Sequence, residues 1–169
     1  MSLGELFKKY IGEVTYGAID GLVTTFAVIA GSVGAGFSRN IIIILALANV
    51  VADGFSMSVG CYFSTKNGKR SRGKDFDEHA ALRKATATYV SFITFGMMPV
   101  LVYIVNWPCP FVHASVITGT LFLLIGSWKS LADKGAPPFK QAVNTFVFGA
   151  IACLISYGLG DLLQRVIVK

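Results

Sequence analysis

Residues 85–128 form a stretch of 44 residues that contains no aspartate, glutamate, lysine or arginine. As one continuous α-helix it would be about 66 Å long at about 1.5 Å per residue. That is roughly twice the ~30 Å thickness of the hydrocarbon core of a bilayer. Pro108 and Pro110 lie near its middle, and prolines break helix continuity. The stretch is therefore predicted to cross a membrane twice, with a turn at residues 107–110.

Three further apolar segments complete a pattern of five predicted membrane spans. The chain of 169 residues is 54% hydrophobic and only 14% charged, whereas an ordinary soluble domain carries about 25% charged residues. We predict an all-α membrane protein with one transmembrane domain, residues 1–169, a short amphipathic lead and a polar loop at residues 65–84. The predicted spans cover residues 18–36, 41–64, 86–106, 111–128 and 141–159.

The basic residues lie mostly on one side of the predicted bundle. The segments before span one, after span two and after span four contain twelve lysines and arginines, and the opposite side contains three. Because basic residues accumulate in cytoplasmic loops, we expect the amino terminus in the cytoplasm and the carboxyl terminus on the opposite side. This distribution explains the net charge of +6 without a nucleic-acid partner. A bacterial inner membrane is the default location, and an organelle membrane is the alternative.

Span two carries polar and sulfur-containing side chains at four-residue intervals, at Asn49, Asp53, Met57 and Cys61. Neighbours in such a series share one slowly turning face of a helix. A carboxylate near the bilayer centre costs about 2.5–3.5 kcal/mol, so Asp53 is expected to face the bundle interior or a cation pathway. The alternative is a seam of small residues around one buried, hydrogen-bonded acid. A lone buried thiol such as Cys61 is commonly a packing residue.

Span one supplies Asp20 and, one turn later, Thr24. Carboxylate, hydroxyl and thioether donors together suit a first-row divalent metal better than Mg²⁺ or Ca²⁺. The alternative role for Asp20 is an acid at a helix N-terminus, where the helix dipole stabilises it. We predict a metal pathway formed by Asp20, Thr24, Asn49, Asp53 and Met57.

The predicted loop contains an acidic cluster with a histidine, formed by Asp75, Asp77, Glu78 and His79. Such a cluster offers weak cytoplasmic metal contacts, mainly through Asp75, Glu78 and His79. A solvated, charged start of span three is the favoured interpretation. The sequence shows no phosphate-binding loop, Cys-x-x-Cys motif or triad spacing. We therefore expect neither enzymatic activity nor a bound cofactor.

Two runs of the sequence resemble signatures of the vacuolar iron transporter family of iron and manganese exporters. Residues 20–31 read DGLVTTFAVIAG, which is similar to the signature D-G-L-V-[ST]-T-F-A-x-x-A-G. Residues 48–60 read ANVVADGFSMSVG, which is similar to the signature A-D-G-x-S-M-x-x-G. The resemblance covers nearly the whole chain except the loop.

The resemblance implies five helices per subunit, a homodimer, and movement of Fe²⁺ or Mn²⁺ out of the cytosol in exchange for protons. The family's pathway acid falls on Asp20, and its pathway methionine falls on Met57. Gly17 and Gly21 have the spacing of small residues that let helices approach closely in lipid, which places the expected dimer contact in span one. The rival interpretation is a non-transporting membrane subunit or scaffold whose acids hold helices together.

The loop departs from the pattern of the family. Many members carry a long cytoplasmic helical domain between spans two and three, rich in glutamate and methionine, which binds metal. Here residues 65–84 stand in its place, with one glutamate and no methionine. Capture of metal by such a domain is therefore not expected.

Overall fold

The computed structural model describes the backbone of residues 3–70, 77–132 and 137–167, and the side chains of residues 10–68, 77–128 and 137–167. Within these residues every regular element is an α-helix, and each helix contains a segment long and apolar enough to cross a membrane. The prediction of an all-α membrane protein with five spans is confirmed. The helices are α1 (Leu3–Gly34), α2 (Arg39–Arg70), α3 (Glu78–Ile104), α4 (Pro110–Ala132) and α5 (Pro138–Ile167).

The helices extend beyond the spans predicted from hydropathy. α1 includes the predicted amphipathic lead and bends at Tyr10, where φ of −114° and ψ of 17° depart from helical values. α2 and α3 take up most of the predicted loop, whose residues 71–76 lie outside the described residues. Hydropathy marks only the apolar part of a helix, whereas lysine and arginine are good helix formers. Helical structure therefore continues into the polar boundary.

α1 is the central helix and contacts all four of the others. A Cβ atom added at Gly17 or Gly21 would collide with the backbone of α3, in the second case at Phe92. A Cβ atom at Gly160 of α5 would likewise collide with the carbonyl group of Gly31. Small residues thus bring helix backbones into contact, as is common in membrane bundles. The prediction of a dimer contact at Gly17 and Gly21 is wrong, because α3 of the same chain covers this face.

The core lies where α1, α2 and α3 meet. Ile29 and Val100 are almost completely buried there, and α2 contributes Ile42, Ala46 and Val50. Leu22 of α1 packs in a second cluster with Phe122 and Ile125 of α4. α5 packs on α1 and α4 only, and most of its apolar side chains are exposed. Extended exposed apolar surface on a chain of this kind is suited to lipid.

The turn between α3 and α4 confirms the position predicted from the prolines. Asn106 and Cys109 have φ values of 59° and 46°, and these left-handed conformations reverse the chain. The Arg39 guanidinium donates hydrogen bonds to the carbonyl oxygens of Tyr103 (2.7 Å) and Ile104 (3.1 Å). Arg39 therefore satisfies carbonyl groups at the end of α3 that have no partner within the helix.

The start of α3 is a solvated, capped helix end, as the favoured interpretation predicts. The Asp77 carboxylate accepts a hydrogen bond of 3.0 Å from the backbone N–H of Ala80. Such an N-cap satisfies one of the free N–H groups at the start of a helix. The acidic residues at this position thus have a local structural role.

Candidate functional site

Asp20 of α1 and Asp53 of α2 both lie near the middle of membrane-spanning segments. Asp20 lies well inside the segment Tyr10–Gly34, and Asp53 lies at the centre of the segment Arg39–Gly68. The two carboxylates are close enough to repel each other. α1 begins at Leu3, so the interpretation of Asp20 as a helix N-terminal acid is wrong. The charges of the two predicted acids are thus within range of each other.

Thr24 lies one turn from Asp20 on the same helix. Its hydroxyl group donates a hydrogen bond of 2.8 Å to the backbone carbonyl oxygen of Asp20. The Thr24 hydroxyl proton is therefore occupied within α1, while the oxygen keeps its acceptor capacity. Thr24 can accordingly contribute an oxygen to the site, but it does not orient the Asp20 carboxylate.

Asp53 lies on the uncovered face of α2. Its side chain is exposed, and among the side chains that the structure describes it has no hydrogen bond or ion pair. Asp53 does not face the interior of the chain, because Val50 and Gly54 occupy the buried side of α2. Within one chain, the expectation that Asp53 faces the bundle interior is therefore wrong. The expectation that Asp53 lines a cation pathway stays a prediction.

A line of small residues runs beside Asp53 along the exposed face of α2. The residues recur every four positions, and each one is exposed: Ala48, Ala52, Ser56, Gly60 and Ser64. The sequence already indicates part of this line, since a seam of small residues is the alternative interpretation of span two. The four-residue spacing of these small residues can be seen in the sequence. Only the structure shows that no other helix that it describes covers them.

Asn49 and Met57 lie one turn on either side of Asp53, and both are half-buried. The Asn49 side-chain nitrogen is buried without a hydrogen-bond partner among the described residues. Buried polar groups are normally satisfied, so this amide is an exception among the described residues. The Met57 side chain points into a polar cleft.

The polar cleft has a volume of about 560 Å³ and opens between α1, α2 and α3. It lies on the side of Asp20 that leads to the start of α1. The Lys84 ammonium of α3 forms an ion pair with the Glu13 carboxylate of α1 inside it. The lining residues are Gly12, Glu13, Tyr16, Met57, Gly60, Cys61, Ser64, Thr65, Lys84 and Thr88.

The sequence analysis did not identify Glu13 or Lys84. Glu13 precedes Asp20 by seven residues, which is two helical turns and places both on one face. That spacing could have identified Glu13 if the lead had been recognised as part of α1. Lys84 was assigned to the loop, although it lies inside α3.

The loop residues do not join the site. Glu78 accepts a hydrogen bond of 3.3 Å from the Tyr62 hydroxyl group, and His79 is exposed. Phe92, which packs on Gly21 next to Asp20, is fourteen residues beyond Glu78, about 20 Å along a helix. Asp75 lies outside the described residues.

The donors of one chain do not form a complete metal site. Among the described residues, no three histidine, cysteine, aspartate or glutamate side chains are grouped closely enough to hold a metal ion. Asp20 and Asp53 supply two carboxylates, and Met57 adds a thioether one turn away. First-row metals in proteins are commonly held by four or more ligands. Asp20, Asp53 and Met57 alone are therefore fewer ligands than such a metal ion commonly has.

Residues 11–75 and 69–161 match the sequence model of the VIT family. Similar proteins include "Vacuolar iron transporter" of Toxoplasma gondii, which is 23% identical over 232 residues, covering 95% of this chain and 76% of that protein. "Vacuolar iron transporter 1" of Eucalyptus grandis is 23% identical over 217 residues, covering 92% and 87%. "Vacuolar iron transporter homolog 3" of Arabidopsis thaliana is 25% identical over 168 residues, covering 92% and 84%.

The alignment lengths separate these relatives into two kinds. The first two alignments are longer than the 169 residues of this chain, so those proteins contain additional residues inside the matched region. The alignment with the Arabidopsis thaliana protein is not longer than the chain. The two matched segments overlap at residues 69–75, which lie at the end of α2 and before the start of α3.

Proposed function

This chain belongs to the VIT family, and on that premise we propose that it carries Fe²⁺ or Mn²⁺ across the membrane, out of the cytosol, in exchange for protons. The proposal is supported by Asp20 and Asp53, two acids near the middle of membrane-spanning segments whose charges are close enough to interact. Acids at such a depth are costly and are characteristic of ion pathways. Two carboxylates compensate the charge of one divalent cation.

Met57 supports the choice of metal. Its thioether lies one turn from Asp53 and lines the polar cleft. Thioether sulfur is a soft donor, which favours first-row transition metals over Mg²⁺ and Ca²⁺. A dehydrated Fe²⁺ or Mn²⁺ ion is therefore held by oxygen ligands from Asp20 and Asp53 and selected by Met57.

Proton exchange follows from the same ligands. A carboxylate must be deprotonated to bind a metal ion, so a metal ion and the protons of Asp20 and Asp53 exclude one another. After it has released the metal ion on the far side of the membrane, the site can bind protons there and release them on the cytosolic side. The two acids thus supply the chemical basis for exchange.

A homodimer completes the site. Asp53 and the small-residue line of α2 are exposed in one chain, and small residues allow two helices to approach closely in lipid. Two copies related by a two-fold axis along α2 bring both sets of acids to the same axis. The dimer then removes Asp53 from lipid and supplies the ligands that one chain lacks.

The test is metal flux into liposomes that contain the purified protein and a metal-sensitive dye. We expect Mn²⁺ or Fe²⁺ uptake above that of empty liposomes, together with proton movement in the opposite direction, recorded by a pH-sensitive dye. Membrane insertion without any flux of either metal would refute transport and favour the scaffold interpretation. Metal flux without proton movement would refute only the exchange.

A further inference from the structure

Lys84 occupies an unusual position for a lysine, since its ammonium group lies in the polar cleft. It pairs there with Glu13, and Met57 and Cys61 of α2 line the same cleft. The Lys84 side chain is 39% exposed and the Glu13 side chain 17% exposed. The ion pair therefore shares the cleft with Met57, and Lys84 is the more exposed partner of the pair.

The ion pair is not needed to hold α1 against α3. One turn deeper, Gly17 lies directly on the backbone carbonyl group of Thr88. The Ser91 hydroxyl group also donates a hydrogen bond of 2.6 Å to the carbonyl oxygen of Val14. These close contacts hold α1 against α3 without any contribution from Lys84. The Lys84 side chain can therefore have another role.

We propose that Lys84 is a tethered cation that occupies the polar cleft, and that a divalent metal ion must displace the Lys84 ammonium from Glu13 to reach Met57. The inference rests on the proposed transport function and adds a control at the mouth of the pathway. The Lys84 side chain is covalently attached to the protein and cannot be transported with the metal ion. It therefore neutralises Glu13 whenever no metal ion is present.

Charge makes this competition selective. Na⁺ and K⁺ carry the same charge as the ammonium group, so neither gains more attraction from Glu13 than Lys84 already does. A divalent ion gains about twice the Coulomb energy at the same distance. Lys84 therefore excludes monovalent cations more strongly than Fe²⁺ or Mn²⁺, at the cost of a weaker apparent affinity for the metal.

The variant Lys84→Gln tests the proposal in liposomes. We expect the KM for Mn²⁺ to fall about fivefold with little change in the maximal rate, and inhibition by Na⁺ or K⁺ to increase. A fivefold change corresponds to about 1 kcal/mol, the upper end of what a partly exposed ion pair contributes. Lys84→Arg keeps the charge and should behave like the wild type.

Arg83→Gln is the matched control. Arg83 is the neighbouring residue and carries the same charge, but it lines a separate apolar groove between α1 and α3 and not the polar cleft. Its replacement should leave the KM for Mn²⁺ unchanged. An equal fall in KM for Arg83→Gln would show that general surface charge causes the effect, and would overturn the proposal.

A double variant separates competition from a structural role. With Glu13→Gln already present, Lys84→Gln should cause no further change in KM, because the ammonium no longer has a partner to release. If the ion pair is only structural, Lys84→Gln should lower the Tm and the maximal rate and leave the KM unchanged or raised. That result would overturn the proposal. Lys84→Met provides a second substitution if the Gln variant inserts poorly.

Flux measured with the wild-type protein tests transport separately from the role of Lys84. A wild-type protein that moves no metal refutes transport itself. A wild type that transports Mn²⁺ with the same KM as Lys84→Gln refutes only the tethered cation. Calorimetric titration of the purified protein with Mn²⁺ provides a readout of affinity that does not depend on flux, and Lys84→Gln should again bind about fivefold more tightly.

Discussion

The proposed site takes its two acids from different surroundings. Asp20 is half-buried on the central helix α1, and Asp53 is exposed on α2. A cation bound between them would relieve the repulsion between their charges. Removal of either negative charge therefore removes part of the attraction for that cation.

Asp20→Asn keeps the shape of the side chain and removes its charge. We expect it to lower metal flux at least about tenfold, since even changes around a metal ligand typically cost that much. Insertion should be unchanged or improved, because a neutral amide is less costly in the membrane. Flux is measured in liposomes, and insertion by protease protection.

Asp161→Asn is the control for this prediction. Asp161 pairs with Arg165 one turn away, at 2.9 Å, near the end of α5. Its replacement should preserve flux. Normal flux in Asp20→Asn would show that Asp20 is structural.

Met57→Leu keeps the volume and hydrophobicity of the side chain and removes the sulfur. We expect folding to be preserved and Mg²⁺ and Ca²⁺ to inhibit Mn²⁺ flux more strongly, because the soft donor that disfavours them is lost. Competition assays in liposomes measure this selectivity. Met98→Leu on the exposed side of α3 is the matched control, and an unchanged selectivity in Met57→Leu would exclude Met57 from the site.

Most residues of the site could be identified from the sequence, because a carboxylate inside an apolar run is conspicuous. Asp20 and Asp53 are candidates for this reason, whereas Met57 is a candidate through its four-residue spacing from Asp53 and through the resemblance to the family. Glu13 was not, since it lies before the apolar part of α1 and looked like part of an interfacial helix. The Glu13–Lys84 pair joins residues 71 positions apart, and no local pattern reveals such a contact.

At the scale of elements, hydropathy located every span but could not show which helix covers which face. The spacing of Gly17 and Gly21 correctly indicated a close helix contact. The partner is α3 of the same chain, and not a second copy. Spacing alone does not distinguish these partners, since both contacts require the same small residues.

The exposed small-residue line of α2 predicts where two copies meet. After replacement of the native cysteines by serine, Ser56→Cys should form a disulfide-linked dimer in native membranes, seen on a non-reducing gel. Ile155→Cys on the exposed face of α5 should not. Equal cross-linking at both positions would indicate random collision and contradict pairing along α2.

The start of α3 is predicted to be a connector and not a metal reservoir. Glu78→Gln combined with His79→Gln should change flux by less than about twofold, because charges separated by more than the Debye length of about 8 Å are largely screened. These residues lie about 20 Å from the site by helix rise. A complete loss of flux in a folded, inserted double variant would contradict this prediction.

At the scale of the whole molecule, the distribution of charge predicts the orientation. Twelve basic residues belong to the predicted side of the amino terminus and three to the other side, so we expect the polar cleft with Glu13 and Lys84 to open to the cytoplasm. Reporter fusions at each end should place the amino terminus in the cytoplasm and the carboxyl terminus across the membrane. Both ends on one side would contradict this topology.

The uncovered position of Asp53 also has a genetic consequence. A chain whose α2 is intact can pair with any other copy in the same membrane, whether or not that copy is functional. In the proposed dimer each copy supplies half of a shared site. Co-expression of an Asp20→Asn chain should therefore inactivate the wild-type chains that pair with it and lower total flux below that of the wild-type chains alone. Inactive alleles of this kind would therefore be dominant negative, whereas alleles that disrupt α2 would be recessive.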